Sequence, residues 1–170
     1  MPNWCMNRLT IEAADPAVLD AIVAATRGRP GSLPGAPEPP EQAITFEATL
    51  PLPPELRARS EGRAATRWAE VHWGTKWDLR PDAQWDRDVS ALSLDTLTAN
   101  TPPIGWVTDL LTRYPAARFC LVYYEPGCRL AGQFVGTHGS VTCHHTGDAH
   151  AWAVVHEAFP DWDEDEEGSV

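Results

Sequence analysis

An α+β fold, built from one antiparallel sheet with helices on one face, is predicted by three features of the sequence. Short segments that alternate apolar and polar residues are separated by segments with apolar residues at helical spacing. Prolines and glycines stand at the joins between these segments. A chain of 170 residues, of which 43% are hydrophobic, is long enough to bury a core. We therefore expect a single domain over residues 1–160, followed by a tail at 161–170.

The N-terminal segment predicts a strand followed by a helix. Residues 4–11 alternate between two faces, and Asn7 lies on the same face as the apolar residues of the strand. Asp15 is a capping residue placed before Pro16, and apolar residues then recur at helical spacing. The first two elements are therefore a strand and a helix.

The next part of the chain predicts two strands separated by an insertion. Residues 28–42 contain too much proline and glycine for regular structure and predict a flexible surface loop. Residues 44–50 alternate cleanly, which is typical of a half-buried strand. Residues 54–88 form an insertion with a helix over 55–71, and residues 89–97 alternate again as a third strand.

The C-terminal elements complete the order strand, helix, strand, strand, helix, strand. A proline pair opens a helix at 102–114, and a strand follows at 118–124. Residues 130–135 and 140–145 predict an added hairpin, and a short helix at 149–159 follows it. This order is the βαββαβ unit of ferredoxin-like folds, a term that describes topology and implies no iron-sulphur cluster.

Charge and cysteine content restrict the possible environments and partners. Residues 161–167 contain six acidic residues, and removing them from the net charge of −11 leaves −5. A body of this charge lacks the basic surface that non-specific nucleic-acid binding requires. The four cysteines form no CxxC pair, which favours free thiols in a reducing compartment. No segment resembles a signal peptide or approaches the roughly 20 apolar residues of a membrane span, so we expect a cytoplasmic protein.

The sequence HWGTKWD, residues 72–78, is the most unusual stretch of the chain because two tryptophans frame a Gly-Thr-Lys turn. The turn superficially resembles a phosphate-binding loop, but Ala69 stands five positions before Gly74, where such a loop has its first glycine. Each packed tryptophan buries about 150–250 Å² of surface and can hold an irregular segment against the core. We therefore favour an aromatic clasp over a ligand site, and we expect Trp73→Ala or Trp77→Ala to cost about 3 kcal/mol or more.

Two further residues belong with this loop as a candidate binding site or structural clasp. Asn7 is an amide on the inner face of the first strand, and a buried amide without partners costs about 1–3 kcal/mol. We expect its partners to be backbone groups of the loop, and Trp4 lies nearby in sequence. The complete candidate set is Trp4, Asn7, Trp73, Gly74, Thr75, Lys76, Trp77 and Asp78.

No catalytic arrangement is evident in the sequence. Tyr124 and Glu125 could act as a phenol and an acid, but Glu-Pro-Gly is first of all a turn. Cys128, Cys143 and His145 could bind zinc, yet the ligand spacings typical of zinc sites are absent. There is no nucleophile elbow and no HExxH motif, and we expect no cofactor.

Five motifs, in order along the chain, resemble those of a known family. They are Met1-Pro2-Asn3-Trp4-Cys5 with Asn7, Pro51-Leu52-Pro53 with Glu55-Leu56, Trp73 to Asp78, Thr98 with Pro102-Pro103 and Trp106, and Tyr124-Glu125-Pro126-Gly127. Together they resemble the YubB ferredoxin-like family, also called Api92-like, which bacterial plasmids and phages carry. The resemblance covers residue 1 to about residue 136 and implies a ferredoxin-like domain of uncharacterised biochemistry that is encoded by a mobile element, so it points to no catalytic residues. His72 replaces the usual Asn of that family, and Ala99-Asn100-Thr101 replaces its usual Trp-Ser.

These observations favour a non-enzymatic module that binds a protein of the host or of the mobile element. A sharper form of this hypothesis is counter-defence, in which an acidic surface competes for a basic nucleic-acid-binding protein. One alternative is a nucleic-acid-processing or metal-dependent enzyme whose site is assembled from residues distant in sequence. Another is a protein that binds single-stranded nucleic acid by stacking bases on exposed tryptophans.

Overall fold

The computed structural model describes residues 3–30, 39–57, 62–138, 140–145 and 149–160. In this part of the chain the strands are Trp4–Glu12 (β1), Asp86–Arg87 (β2), Ala91–Ala99 (β3), Arg118–Glu125 (β4), Leu130–Thr137 (β5) and Ser140–His145 (β6). The helices are Pro16–Thr26 (α1), Phe46–Thr49 (α2), Pro54–Arg57 (α3), Arg63–His72 (α4), Ile104–Arg113 (α5) and Ala149–Ala158 (α6). The strands form one antiparallel sheet in the order β2-β3-β1-β4-β5-β6, so the fold is α+β.

Strand β1 lies inside the sheet and sets its two faces. It pairs with β3 on one side and with β4 on the other, so that Asn7 lies opposite both Thr96 and Tyr123. The predicted alternation is confirmed, because every second residue of β1 from Cys5 to Ile11 is buried. We call the side that these residues occupy the core face of the sheet.

Helices α1 and α5 cover the core face. Asp15 caps α1 by accepting a 2.9 Å hydrogen bond from the backbone N–H of Ala17, and Pro16 occupies the first turn, as predicted. The apolar stripes of both helices are buried against the sheet. The main core consists of these stripes and the core-face residues of β1, β3, β4 and β5.

The strand predicted at residues 44–50 is wrong, because this segment contains the short helix α2. Its alternation does not separate a buried face from an exposed one: the polar residues Thr45, Glu47 and Thr49 are buried as well as Phe46. Thr45 caps the helix by accepting a hydrogen bond from the N–H of Glu47. The edge of β3 is paired with the two-residue strand β2 instead.

Helices α1 and α5 share one face, whereas the terminal helix α6, which follows the added hairpin, packs on the opposite face. Trp152 of α6 lies edge-on to Tyr124 of β4, with ring centroids 5.9 Å apart. Arg8 of β1 forms an ion pair with Asp95 at 2.6 Å and donates a hydrogen bond to the carbonyl of Ala158. A cation at the end of a helix complements the helix dipole, so Arg8 holds the last turn of α6 on the sheet.

The remaining elements agree in part with their predictions. The hairpin of β5 and β6 is confirmed, and the third strand begins and ends two residues later than predicted. The helix predicted over 55–71 is two helices, α3 and α4, with residues 58–61 outside the described part.

A backbone bridge between Gly28 and Gln42 closes the predicted loop at 28–42, whose residues 31–38 are not described. The acidic tail at 161–170 also lies outside the described residues.

None of the helices in the described ranges is long and apolar enough to span a membrane.

Candidate functional site

The WGTKWD loop, residues 73–78, begins where α4 ends, because the chain turns sharply at Gly74. The backbone N–H groups of Trp73 and Gly74 both donate to the carbonyl of Ala69, which ends the helix. Gly74 has a φ of 93°, a conformation that favours glycine. A side chain at this position would place its Cβ 2.7 Å from the carbonyl oxygen of Pro102. The turn therefore needs glycine for both conformational and steric reasons.

Trp73 is part of the core and is 4% exposed. Its indole N–H donates to the carbonyl of Leu50 at 2.8 Å, and its ring lies 5.6 Å from Phe46 and 5.7 Å from Trp68 between centroids. The carbonyl of Trp73 accepts a 3.1 Å hydrogen bond from the N–H of Trp106 in α5. These contacts fix the start of the loop against α2, α4 and α5.

A chain of hydrogen bonds from β1 through β3 positions the middle of the loop. Asn7 donates to the hydroxyl of Thr98 at 2.9 Å, and Thr98 donates to the carbonyl of Thr101 at 2.8 Å. Thr101 donates in turn to the carbonyl of Gly74 at 2.6 Å. Thr75 is fully buried and donates to the carbonyl of Ala99 at 2.9 Å. The expectation that Asn7 bonds directly to the loop is wrong: its partners are the Cys5 carbonyl and β3, and Thr98 and Thr101 relay the contact.

Asp78 ends the loop and caps the N-terminus of α2. Its carboxylate accepts hydrogen bonds from the backbone N–H of Phe46 and of Leu79, each at 2.7 Å, and from the hydroxyl of Thr45. Burial raises the pKa of Asp78, while these hydrogen bonds oppose the shift by stabilising the charged form. Asp78 forms no ion pair with Lys76 in the described structure, because hydrogen bonds to the start of α2 occupy its carboxylate.

Trp77 faces solvent, in contrast to Trp73. Trp77 is 49% exposed and Trp4 is 40% exposed, and their ring centroids lie 6.2 Å apart at a tilt of 58°. We call these two residues the aromatic pair. The expectation that both tryptophans of the loop are buried is therefore wrong for Trp77. The neighbouring Lys76 is partly exposed and is the single lysine of the chain.

Lys76 lies at one side of an open groove of about 690 Å³ along α4. The groove is also lined by Arg63 and Arg67, one helical turn apart, together with Gly62, Thr66 and Glu70. Neither arginine belongs to a motif of the sequence. Their spacing of four residues within a predicted helix was the available signal, but only the fold brings Lys76 beside them.

Tyr124 and Glu125 do not form a catalytic pair. Both are buried, and the Tyr124 ring packs against α6. The Glu125 carboxylate accepts hydrogen bonds from the backbone N–H of Gly127 and of Cys128, each at 2.8 Å. The carboxylate therefore stabilises the turn after β4, which is a structural role.

The proposed zinc-binding residues lie in different elements. Cys143 and His145 lie on the same face of β6, whereas Cys128 lies in the turn after β4. The imidazole Nδ1 of His145 lies 2.5 Å from the phenol oxygen of Tyr123, whose pKa is raised mainly by burial. Within the described ranges, no group of three or more His, Cys, Asp or Glu residues is arranged to hold a metal ion.

The pKa of each cysteine thiol is raised above its ordinary value. All four are free, and Cys5 is completely buried in β1. Burial raises the pKa of the Cys5 thiol to about 12 and also raises the pKa of Cys120 and Cys143. The hydrogen bond with Glu125 raises the pKa of Cys128. A thiolate at neutral pH is therefore disfavoured at each of these positions.

The architecture is similar to that of a solved structure, the crystal structure of a protein Api92 from Yersinia pseudotuberculosis that is described by the family model DUF1281. The TM-score is 0.65 and the sequence identity is 10%, and the similarity covers 88% of this chain and 99% of that chain. The chain has an Api92-like fold. No family model matches the sequence. No curated protein matches it either.

The two tryptophans of the loop should differ in their contribution to stability. We expect Trp73→Ala to lower the free energy of unfolding by about 3 kcal/mol or more, because it leaves a cavity and an unpaired carbonyl. We expect Trp77→Ala to lower it by about 1 kcal/mol or less, because this ring is half exposed. Denaturant unfolding of the two variants measures both values, and equal losses would contradict the assigned orientations.

Asp78 should be far more important for stability than a nearby exposed aspartate. We expect Asp78→Ala to cost about 2 kcal/mol or more, because it leaves the N–H groups at the start of α2 without their acceptor. Asp82→Ala is the matched control: its carboxylate is exposed and pairs with Arg80 at 3.4 Å, so we expect a change within about 0.5 kcal/mol. Thermal or denaturant unfolding distinguishes the two, and a loss below about 1 kcal/mol for Asp78→Ala would refute the capping role.

Proposed function

We propose that the chain is a non-enzymatic protein-binding module of the YubB ferredoxin-like family, carried by a mobile element and acting in the cytoplasm. The split βαβ arrangement of β3, α5 and β4, with β1 between the two strands, supports the ferredoxin-like assignment. In this reading β2 is a much shortened edge strand, and β5 and β6 extend the sheet beyond the basic unit. The proposed plasmid or phage origin rests on the resemblance of the five sequence motifs to that family.

The binding surface in this proposal is the outer side of the WGTKWD loop, centred on the aromatic pair. Trp4 and Trp77 expose large apolar rings side by side. Tryptophan is enriched among the residues that contribute most to protein–protein affinity, and its rigid ring loses little conformational entropy on binding. The single observation that carries the proposal is this contact between two exposed rings, held in place by a loop whose inner side is buried.

Hydrogen bonds on both sides of Lys76 and Trp77 hold the loop in one conformation, which favours binding. Thr75 and Asp78, the residues that flank Lys76 and Trp77, are fastened to the core by hydrogen bonds. A surface that is already held in its bound conformation loses less entropy when a partner binds. The loop thus combines a structural clasp on its inner side with a recognition surface on its outer side.

Binding of single-stranded nucleic acid is a second candidate, favoured by the same two rings. Bases can stack on exposed tryptophans without sequence preference, and the three cationic side chains of the groove could contact phosphates. The net charge of −11 opposes this reading, since binding to a polyanion is weakened by the negative field of the protein. Protein binding is therefore the leading proposal.

Affinity capture from host lysate with matched variants tests the proposed surface. We expect the wild-type chain to retain a specific protein, and we expect Trp77→Ala and Trp4→Ala each to reduce its recovery severalfold. Val89→Ala is the control, because it also truncates an exposed apolar side chain but lies away from the loop. Deletion of residues 161–170 tests the counter-defence version, in which an acidic surface competes for a basic nucleic-acid-binding protein, because this segment holds six of the acidic residues.

Two results would count against the proposed surface. One is a partner retained equally by wild type, Trp77→Ala and Trp4→Ala. The other is recovery lost on deletion of the tail but unaffected by both tryptophan variants, since the contact would then lie in the tail. Circular dichroism of each variant confirms that a lost partner does not reflect a lost fold.

A further inference from the structure

We infer that the groove between α4 and the WGTKWD loop binds a short acidic segment of the partner protein. This inference rests on the proposed function and deepens it, because it assigns the chemical class of the partner's contacting segment. The residues that would make the contact are Arg63, Arg67 and Lys76, which we call the basic groove.

The cations of the basic groove differ from most others in the chain because they have no counter-ion in the described structure. Six arginines each have a carboxylate oxygen within 3.4 Å; they are Arg8, Arg57, Arg80, Arg87, Arg113 and Arg118. Arg63, Arg67 and Lys76 form no such pair with any described residue. In a chain with 24 acidic and 13 basic residues, a groove lined by three cations without an ion pair and by one carboxylate is a local site of opposite sign.

The geometry of the groove suits carboxylates. Arg63 and Arg67 lie one turn apart on α4, so their guanidinium groups project from the same side of the helix. A guanidinium group binds a carboxylate through two parallel hydrogen bonds, which an ammonium group cannot do. Lys76 faces them from the loop and adds a point charge across the groove. Glu70 is the one acidic residue among the described residues of the lining, and it limits the negative charge that the groove accepts.

The position of Lys76 is fixed by its neighbours in the chain. The preceding Thr75 is fully buried and hydrogen-bonded to Ala99, and the following Trp77 contacts Trp4. Lys76 therefore links the basic groove to the aromatic pair. A peptide that carries carboxylates next to an apolar residue could use both surfaces at once.

The overall charge of the chain favours a short acidic segment over a nucleic acid. A polynucleotide brings one negative charge with every phosphate, and its repulsion by a chain of net charge −11 grows with every added nucleotide. A segment with two or three carboxylates matches the cations of the groove and adds little further charge. The local attraction can then exceed the long-range repulsion, which solution ions screen over about 10 Å.

Fluorescence anisotropy with a labelled peptide of alternating glutamate and leucine tests the inference. We expect saturable binding that weakens as salt is added, and at least about a tenfold weaker affinity for the Arg63→Gln, Arg67→Gln double variant, because it removes charge-assisted hydrogen bonds. Lys76→Gln should weaken binding severalfold. Arg27→Gln is the control: it removes one exposed positive charge outside the groove, and we expect an affinity within about twofold of wild type.

The inference is overturned if the double variant binds the peptide as tightly as wild type while remaining folded. It is equally overturned if a labelled oligothymidine binds more tightly than the peptide and loses affinity in the same variants, since the groove would then serve nucleic acid. Failure of the inference and of the proposed function are distinguishable. A captured partner lost from Trp77→Ala but kept by the double variant would leave the proposed function standing and remove the inference.

Discussion

The candidate surface depends on the close contact between Trp73 and the first turn of α5. A Cβ atom at Gly105 would lie 2.2 Å from the carbonyl oxygen of His72, so the helix can approach the loop only because this residue is glycine. That approach lets the N–H of Trp106 bond to the carbonyl of Trp73. Trp73 and Trp106 both contact Phe46 of α2, with centroids 5.6 and 4.8 Å away. One glycine thus allows α2, α5 and the loop to share a single aromatic core.

The inner and outer sides of the loop differ because some of its residues are buried and others face solvent. Trp73 and Thr75 point inward and satisfy their polar groups on backbone carbonyls. Lys76 and Trp77 point outward, toward the basic groove and Trp4. Asp78 turns inward again and holds α2. Ordering an irregular segment costs conformational entropy, and the contacts of the inward residues offset this loss. The outward residues are therefore held in a defined conformation.

Much of the fold could be predicted from the sequence because its regular elements are locally specified. The alternation of β1, the Asp15-Pro16 start of α1 and the final hairpin each depend on nearby residues. The structure of the segment at 44–50 could not be predicted in this way. Its alternating polar residues are buried by contacts with residues outside the segment, such as Asp78 and Arg57. Trp73 and Trp77 look equivalent in the sequence. Only the turn at Gly74 and the contacts with α5 decide which of them is buried, and only the fold places Lys76 beside Arg63 and Arg67.

Hydrogen exchange of the indole N–H groups, followed by NMR, tests the central claim that one side of the loop is core and the other is surface. The N–H of Trp73 bonds to the carbonyl of Leu50 inside the protein, so its exchange should be slow and limited by opening of the structure. The N–H groups of Trp77 and Trp4 belong to exposed rings and should exchange rapidly. Rapid exchange at Trp73, or equal protection of Trp73 and Trp77, would contradict the account.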